Sequence, residues 1–501
     1  MTSDLEAFKR HMSDVLDLQS IAGALEWDAH VMMPKESTKA RGQQLATLKT
    51  VINETQVSEK ARELLKALER EVDSLDEWQR ANVRLCRKRF DLESTKTLEW
   101  IEETEQLKTS MMAAWEEARA EDDASTFLPL LGRMIELQKQ LACLNNCGED
   151  PYSFCIDEYE VGMTKTRIDS IFAAIKPELV SMVSRLRTLP ALEFPAVLLE
   201  GPFEVEGQIA LNKEVAAQLG FDFSRGRLDV STHPFTMGIH PSDVRITSRY
   251  NTADFISGLS GTVHETGHAI YELQRNMEHD REMVNEPLSM AMHESQSLFF
   301  ERMIALSLPF WRWVAPLVHK HLPITKEVTA EQMWRCANRV DFSNFIRVNA
   351  DELTYPLHIM LRFELENSML HGLASEKIEG EWNRLMEELL SLKVPKASLG
   401  YLQDVHWALG SFGYFPSYTL GAMFAAQWHV QLSKSLNIDA LVEQGDFAPI
   451  RKGLRELVHQ WGSFDKSADA LSSRVSGAPL RPEVFLSYLK KKYSQLFETE
   501  L

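Results

Sequence analysis

Gly261-Thr262-Val263-His264-Glu265-Thr266-Gly267-His268-Ala269-Ile270-Tyr271-Glu272 sets two histidines four residues apart, with a glutamate directly after the first. Four residues is just over one helical turn, so on a helix both imidazoles stand on one face and can reach one ion. The small and apolar residues that follow (Ala269, Ile270, Leu273) predict a helix whose histidine face is largely buried. Buried imidazoles need partners. A shared zinc ion supplies one, and three protein ligands leave a position open for water. Glu265 projects toward that position and can take a proton there.

A third ligand is expected on the next helical run, Leu288-Ser289-Met290-Ala291-Met292-His293-Glu294-Ser295-Gln296, which is read as starting near Pro287, a residue suited to a first helical turn. Glu294 sits there among Met, Ala, Leu and Phe, where an unpaired carboxylate is costly and coordination removes the cost. His264, His268 and Glu294 are therefore read as the metal ligands and Glu265 as the catalytic base. His293 is a rival ligand, but it points about 100° away on the same helix. Glu301, further along, is expected to be solvated or salt-bridged.

Outward from this segment the chain reads as mainly α. Stretches 55–71, 75–92 and 94–120 are rich in Glu, Lys, Arg, Leu and Ala, with apolar residues returning at three and four. Their charged faces are expected to be solvated, or to wall a cleft. Between about 220 and 252 the texture changes: 227–235 and 243–250 alternate and carry β-branched residues, which predicts a hairpin or small sheet. Pro234 is expected to put its strand at an edge, where an extended peptide could add as a further strand. No composition break marks a boundary. The expected organisation is one helical body over 1–501, with 1–130 as wall or lid, 227–250 as the β element and 252–430 carrying the site.

The net charge of −19 argues against nucleic acid or an anionic membrane as a main partner. Five cysteines (Cys86, Cys143, Cys147, Cys155, Cys336) at irregular spacing read as reduced thiols. Cys143, Cys147 and Cys155 lack a fourth ligand nearby for a closed zinc site. The N-terminus has no apolar signal core, and the chain has no apolar run of about 20 residues. The expected location is cytoplasmic.

Further segments carry a resemblance. His233-Pro234-Phe235, Asp243-x-Arg245-x-Thr247, His264-Glu265-x-x-His268, His293-Glu294-Ser295-Gln296, Ile346-Arg347-x-x-Ala350-Asp351 and Gly400-x-x-Gln403-Asp404-x-His406-Trp407 occur in that order. Trp27-Asp28, Met33-Pro34 and Gly413-Tyr414-Phe415-Pro416-Ser417-Tyr418-Thr419-Leu420-Gly421 join them. Together they span most of the chain and resemble the signatures of the carboxypeptidase Taq family of metallocarboxypeptidases. The resemblance implies a largely helical fold with a deep substrate groove and a small sheet beside the active site. It also implies removal of C-terminal residues from peptides with broad specificity, zinc with cobalt as a substitute, and a homodimer. Carried over from these segments, His406 and Tyr418 become candidates to stabilise the developing oxyanion, with Tyr414 competing with Tyr418. Arg347 is the first candidate to bind the substrate α-carboxylate and Arg245 the second, because guanidinium meets carboxylate bidentately. Arg347 has a structural alternative, a salt bridge to Asp341 or Asp351. Two other readings of the chain are a zinc oligopeptidase or dipeptidase, and a non-catalytic helical binding protein.

Overall fold

A computed structural model describes residues 3–501. Helices start where short polar side chains can accept from the first free backbone N–H groups. Asp76 does this in a capping box with Gln79, and Thr97, Asp150, Thr164, Asp254 and Ser289 cap later helices. The N-terminal helices are α1 (Ser3–Val31), α2 (Thr38–Gln56), α3 (Glu59–Arg70), α4 (Glu77–Thr95) and α5 (Leu98–Glu121). There follow α6 (Phe127–Leu144), α7 (Pro151–Tyr159), α8 (Lys165–Arg187), α9 (Ala196–Glu200) and α10 (Val205–Leu219). The expected run 55–71 is thus split, because α2 ends at Gln56 and Ser58 caps α3.

Strands β1 (Gly226–Val230), β2 (Thr236–His240) and β3 (Asp243–Ser248) form one sheet in the order β1-β3-β2. The hairpin is β2-β3. β1 instead pairs parallel with β3, in register Gly226 to Val244. Pro234 lies in the loop between β1 and β2, not in a strand, so it does not set the edge; β2 is an edge strand all the same. Part of that edge is covered, since Ser20 Oγ of α1 donates to the Ile239 carbonyl at 2.9 Å. Val244 and Ile246 are the inward residues of β3, and they pack with Ala216, Phe221, Ala269 and Leu273.

The metal-motif helix is α11 (Phe255–Leu273), and it is followed by α12 (Met290–Leu298), α13 (Leu308–His321), α14 (Ala330–Ala337), α15 (Tyr355–Leu370), α16 (Ile378–Leu390) and α17 (Pro416–Ser433). The chain closes with α18 (Ile438–Glu443), α19 (Ala448–Leu457), α20 (Ala468–Ser476) and α21 (Pro482–Leu496). Pro287 does not open α12: Ser289 caps it by accepting from the Met292 N–H, and the proline precedes the cap. Helices α15 and α17 are buried on nearly all sides, as expected of helices that are apolar all round. One large apolar core runs from Leu107 to Leu496. The N-terminal helices carry a second, smaller one of Leu5, Phe8, Met12, Val15, Leu65, Leu68 and Phe90, among others. That unit meets the connection between α11 and α12, where Lys9 and Asn82 both reach Glu282, Met283 packs on its core and Trp78 stacks on His279.

Gly267 decides how closely α11 and α12 cross. A Cβ there would sit 2.6 Å from the Gln296 carbonyl oxygen and 2.7 Å from the Ser297 Cα, and backbone cannot yield as a flexible side chain can. Gly267→Ala is therefore expected to cost about 1–3 kcal/mol, the range for overpacking a well-filled interior. Urea denaturation of the metal-free chain measures this, and an unchanged midpoint would show that the crossing is loose.

Candidate metal centre and active site

His264 stands near the middle of α11 rather than at its start, and His268 lies one turn on. The close crossing at Gly267 brings Glu294 of α12 up to both. Its Oε2 lies 3.3 Å from His268 Nε2 and 3.8 Å from His264 Nε2. Among the described residues these three form the one group of His, Cys, Asp or Glu donors gathered as a metal site, with ligand atoms all within 4.8 Å. Tetrahedral zinc with bonds of about 2.0–2.1 Å places its ligands about 3.3 Å apart, so the donor set fits such an ion. Helix α17 presses on the carboxylate side, where Gly421 leaves room for Glu294 Cγ; a Cβ at 421 would stand 2.8 Å from it.

His264 keeps its other nitrogen for Glu301, with Nδ1 donating to Oε2 at 2.6 Å. Burial raises the Glu301 carboxyl, but the His264 hydrogen bond and nearby Arg302 more than offset this and hold it below its ordinary range. An ionised acceptor fixes the proton on Nδ1 and leaves Nε2 free for an ion. Glu301 is thus salt-bridged, as expected, but its partner is one of the candidate ligands. It lies where α12 runs on into a π-helical turn over Phe299–Ala305. His293 is turned away to donate from Nε2 to Glu272 at 2.8 Å, and its ring stacks on His268 with centroids 4.5 Å apart.

Glu265 is buried beside the pair. Thr236 of β2 donates its hydroxyl to Glu265 Oε2 at 2.6 Å, which ties this carboxylate to the sheet. Burial raises the Glu265 carboxyl above its ordinary value, against the pull of His264 and Thr236.

The second wall is aromatic. His406 packs at 4.5 Å on Phe415 and 5.4 Å from Tyr414; Tyr414 and Tyr418 meet edge-on at 5.3 Å. Burial and, in part, the charge of Glu294 raise the phenols of both, Tyr414 to about 12, so each remains an O–H donor. Burial also pulls His406 down to about 4, helped by Arg347 and Arg362 over the opposing Asp404. It is therefore a neutral imidazole that can still donate one N–H.

Arg347 joins this wall, its guanidinium 5.0 Å above the Tyr418 ring. Its salt-bridge partner is Asp404, not Asp341 or Asp351. Asp341 accepts from Ser343 and Asp351 from Leu353 and Thr354, each within its own turn. Asp404 Oδ1 accepts from Arg347 Nε at 2.9 Å and Nη2 at 2.8 Å, while Tyr355 accepts from Nη1 at 2.6 Å. A guanidinium has five N–H groups, so two remain, one on each terminal nitrogen. Arg362 donates to the other oxygen, Oδ2, making Asp404 a buried hub for two cations. Arg245 is elsewhere. Asp243 holds it bidentately at 2.9 and 2.8 Å, and it stacks 4.5 Å over Trp27, fastening α1 to the sheet.

Two outcomes follow from these geometries. Glu301→Ala frees the His264 ring and is expected to weaken metal binding about 10–100-fold, as loss of such partners does; titration against a competing chelator reads this, and an unchanged affinity would contradict it. Asp404→Asn leaves Arg347 and Arg362 buried without their counter-charge, at an expected cost of about 3–5 kcal/mol in urea unfolding. Both guanidiniums depress the Asp404 carboxyl, against burial. Its contribution is thus present above its ordinary value of 3.8 and is lost as pH falls from there toward the lower folded value. The variant lacks that acid limb.

Comparisons with known proteins identify the family and the fold. The profile of the carboxypeptidase Taq (M32) metallopeptidases matches residues 7–493. Carboxypeptidase 1 of Bacillus subtilis (strain 168) is 35% identical over 478 residues, 94% of each chain. Thermostable carboxypeptidase 1 of Pyrococcus furiosus is 34% identical over 482 residues, 95% of each. Among solved structures, a Pyrococcus furiosus carboxypeptidase superposes with a TM-score of 0.95 at 32% identity, covering 98% of this chain and 99% of that one. Metallocarboxypeptidase 1 of Trypanosoma cruzi does so at 0.93 and 35%, covering 98% and 100%. The mainly helical fold with one small sheet is that of these enzymes. With a gathered His-His-Glu donor set and a family match over residues 7–493, the chain belongs to the carboxypeptidase Taq (M32) metallopeptidases and is a hydrolase of peptides that uses a divalent metal.

Proposed function

We propose that this enzyme is a zinc-dependent carboxypeptidase that removes the C-terminal residue from peptides with broad specificity, Glu265 acting as general base. The observation that carries the base assignment is the placement of Glu265: buried, next in sequence to His264, and held by Thr236 at 2.6 Å. His264, His268 and Glu294 would hold the ion. Bound there, zinc polarises the scissile carbonyl and lowers the pKa of water.

The remaining work belongs to side chains. Glu265 takes the proton of the attacking water and passes it to the departing amine. His406 or Tyr418, both neutral donors, steadies the oxygen that becomes negative, and Tyr414 lines the same wall. Arg347, with two N–H groups uncommitted, takes the substrate α-carboxylate. Arg245 supports the groove wall through Trp27. β2 offers the part of its edge that α1 leaves uncovered to the extended peptide. We place the whole of 1–501 in one catalytic unit, with the N-terminal helices as a wall of the groove. A homodimer is part of this reading, as is a cytoplasmic location, in keeping with five unpaired cysteines; cobalt is expected to substitute for zinc.

Glu265→Gln tests the base: zinc stays bound one per chain while turnover falls at least about 100-fold, the low end for a positioned base. Unchanged turnover removes Glu265 from the role. Amidating a peptide's C-terminus is expected to abolish most of the rate of the wild-type enzyme. An amide cut as fast as the acid would mark an oligopeptidase instead.

A further inference from the structure

His406 and Tyr414 stand at the two ends of one short segment, and both ends are tied to a single buried carboxylate. Glu366 of α15 is fully buried. Its Oε1 accepts from Trp407 Nε1 at 2.8 Å, and its Oε2 from the Gly413 backbone N–H at 3.0 Å and from Tyr152 Oη at 2.8 Å. Trp407 follows His406 directly, and Gly413 precedes Tyr414 directly. Between them the chain makes a closed turn: the Ser411 N–H donates to the His406 carbonyl at 2.9 Å. Displacing either end therefore moves His406.

The chemistry demands an acceptor. Two N–H groups and a phenol donate to the two oxygens of this carboxyl, and these bonds favour its accepting, ionised form against burial, which raises the group to about 7. Three buried donors without an acceptor are costly, so the segment has one favourable seat. Tyr152 and Trp407 are fixed in turn: Tyr152 packs 5.3 Å from Phe363, and Trp407 meets Trp382 edge-on at 6.1 Å. Nothing in this clamp touches the metal ligands.

We propose that Glu366 is a positioning residue for the reaction, setting His406 and Tyr414 in the aromatic cluster with Tyr418 by clamping both ends of the 407–413 segment. This rests on the role given to His406 under the proposed function. A shift of about 1 Å in such a group costs about 100-fold in rate, and that cost falls on kcat rather than on KM or metal binding.

The test is a double-mutant cycle on the zinc-loaded full chain, with zinc content, kcat and KM measured on an unblocked peptide. Glu366→Leu is expected to lose about 100-fold in kcat, with KM and zinc content nearly unchanged. Glu366→Gln can still accept from Gly413 and Tyr152 but turns its NH2 toward Trp407, so its smaller loss should match that of Trp407→Phe. In a His406→Ala background, Glu366→Leu should cost far less than in the wild type, because the two act through one group. A folded Glu366→Leu with wild-type kcat, or a loss as large in the His406→Ala background, overturns the proposal alone. If Glu366→Leu does not fold, Trp407→Phe decides: wild-type kcat there overturns the clamp. His406→Ala with full activity overturns the role of His406, and the clamp with it.

Discussion

The structure depends on the close crossing of two helices. At Gly267 the backbone of α12 comes within van der Waals range of α11, and only this approach lets a carboxylate on one helix reach two imidazoles on the other. The crossing also concentrates acid. Glu265, Glu294 and Glu301 all lie about His264, and they are the charges that raise it to about 10 against burial. His268, next to His293 and equally buried, is pulled down to about 4. Such a cluster is poorly balanced by one imidazolium and well balanced by a divalent cation, which is the electrostatic argument for proposing the metal there.

The aromatic wall around His406 is built by another rule. Asp404 and Glu366 are buried carboxylates with different partners: two guanidiniums for the first, and an indole, a phenol and a backbone N–H for the second. Removing any one partner leaves buried groups unpaired, so the wall has few alternative arrangements. Its outer surface of His406, Tyr414 and Tyr418 carries neutral donors. Donors that stay protonated suit an oxygen gaining negative charge, and their rigid seating avoids reorganisation when it does.

Much of this was legible in the sequence because it is periodic or local. The four-residue spacing of His264 and His268 placed them on one helix face, and an acid amid apolar residues singled out Glu294. The long charged helices and the β-textured stretch around Arg227 to Tyr250 were visible for the same reason. What escaped was non-local. Nothing near Arg347 announces Asp404, 57 residues on, whereas Asp341 and Asp351 were close at hand. The parallel pairing of β1 with β3 and the Thr236 bond to Glu265 likewise join segments that the sequence keeps apart. Two details had signals that were outweighed. Ser289 is a better helix start than Pro287. Glu301 lies seven residues, two turns, beyond Glu294 and so on the same face.

Anomalous diffraction at the zinc edge from crystals grown with one equivalent of zinc addresses the crossing itself. A single peak is expected about 2.0–2.2 Å from His264 Nε2, His268 Nε2 and a Glu294 oxygen, with His264 Nδ1 still on Glu301. A peak lying on other residues, or one that engages the imidazoles while Glu294 points away, would contradict the proposed centre and the chemistry built on it.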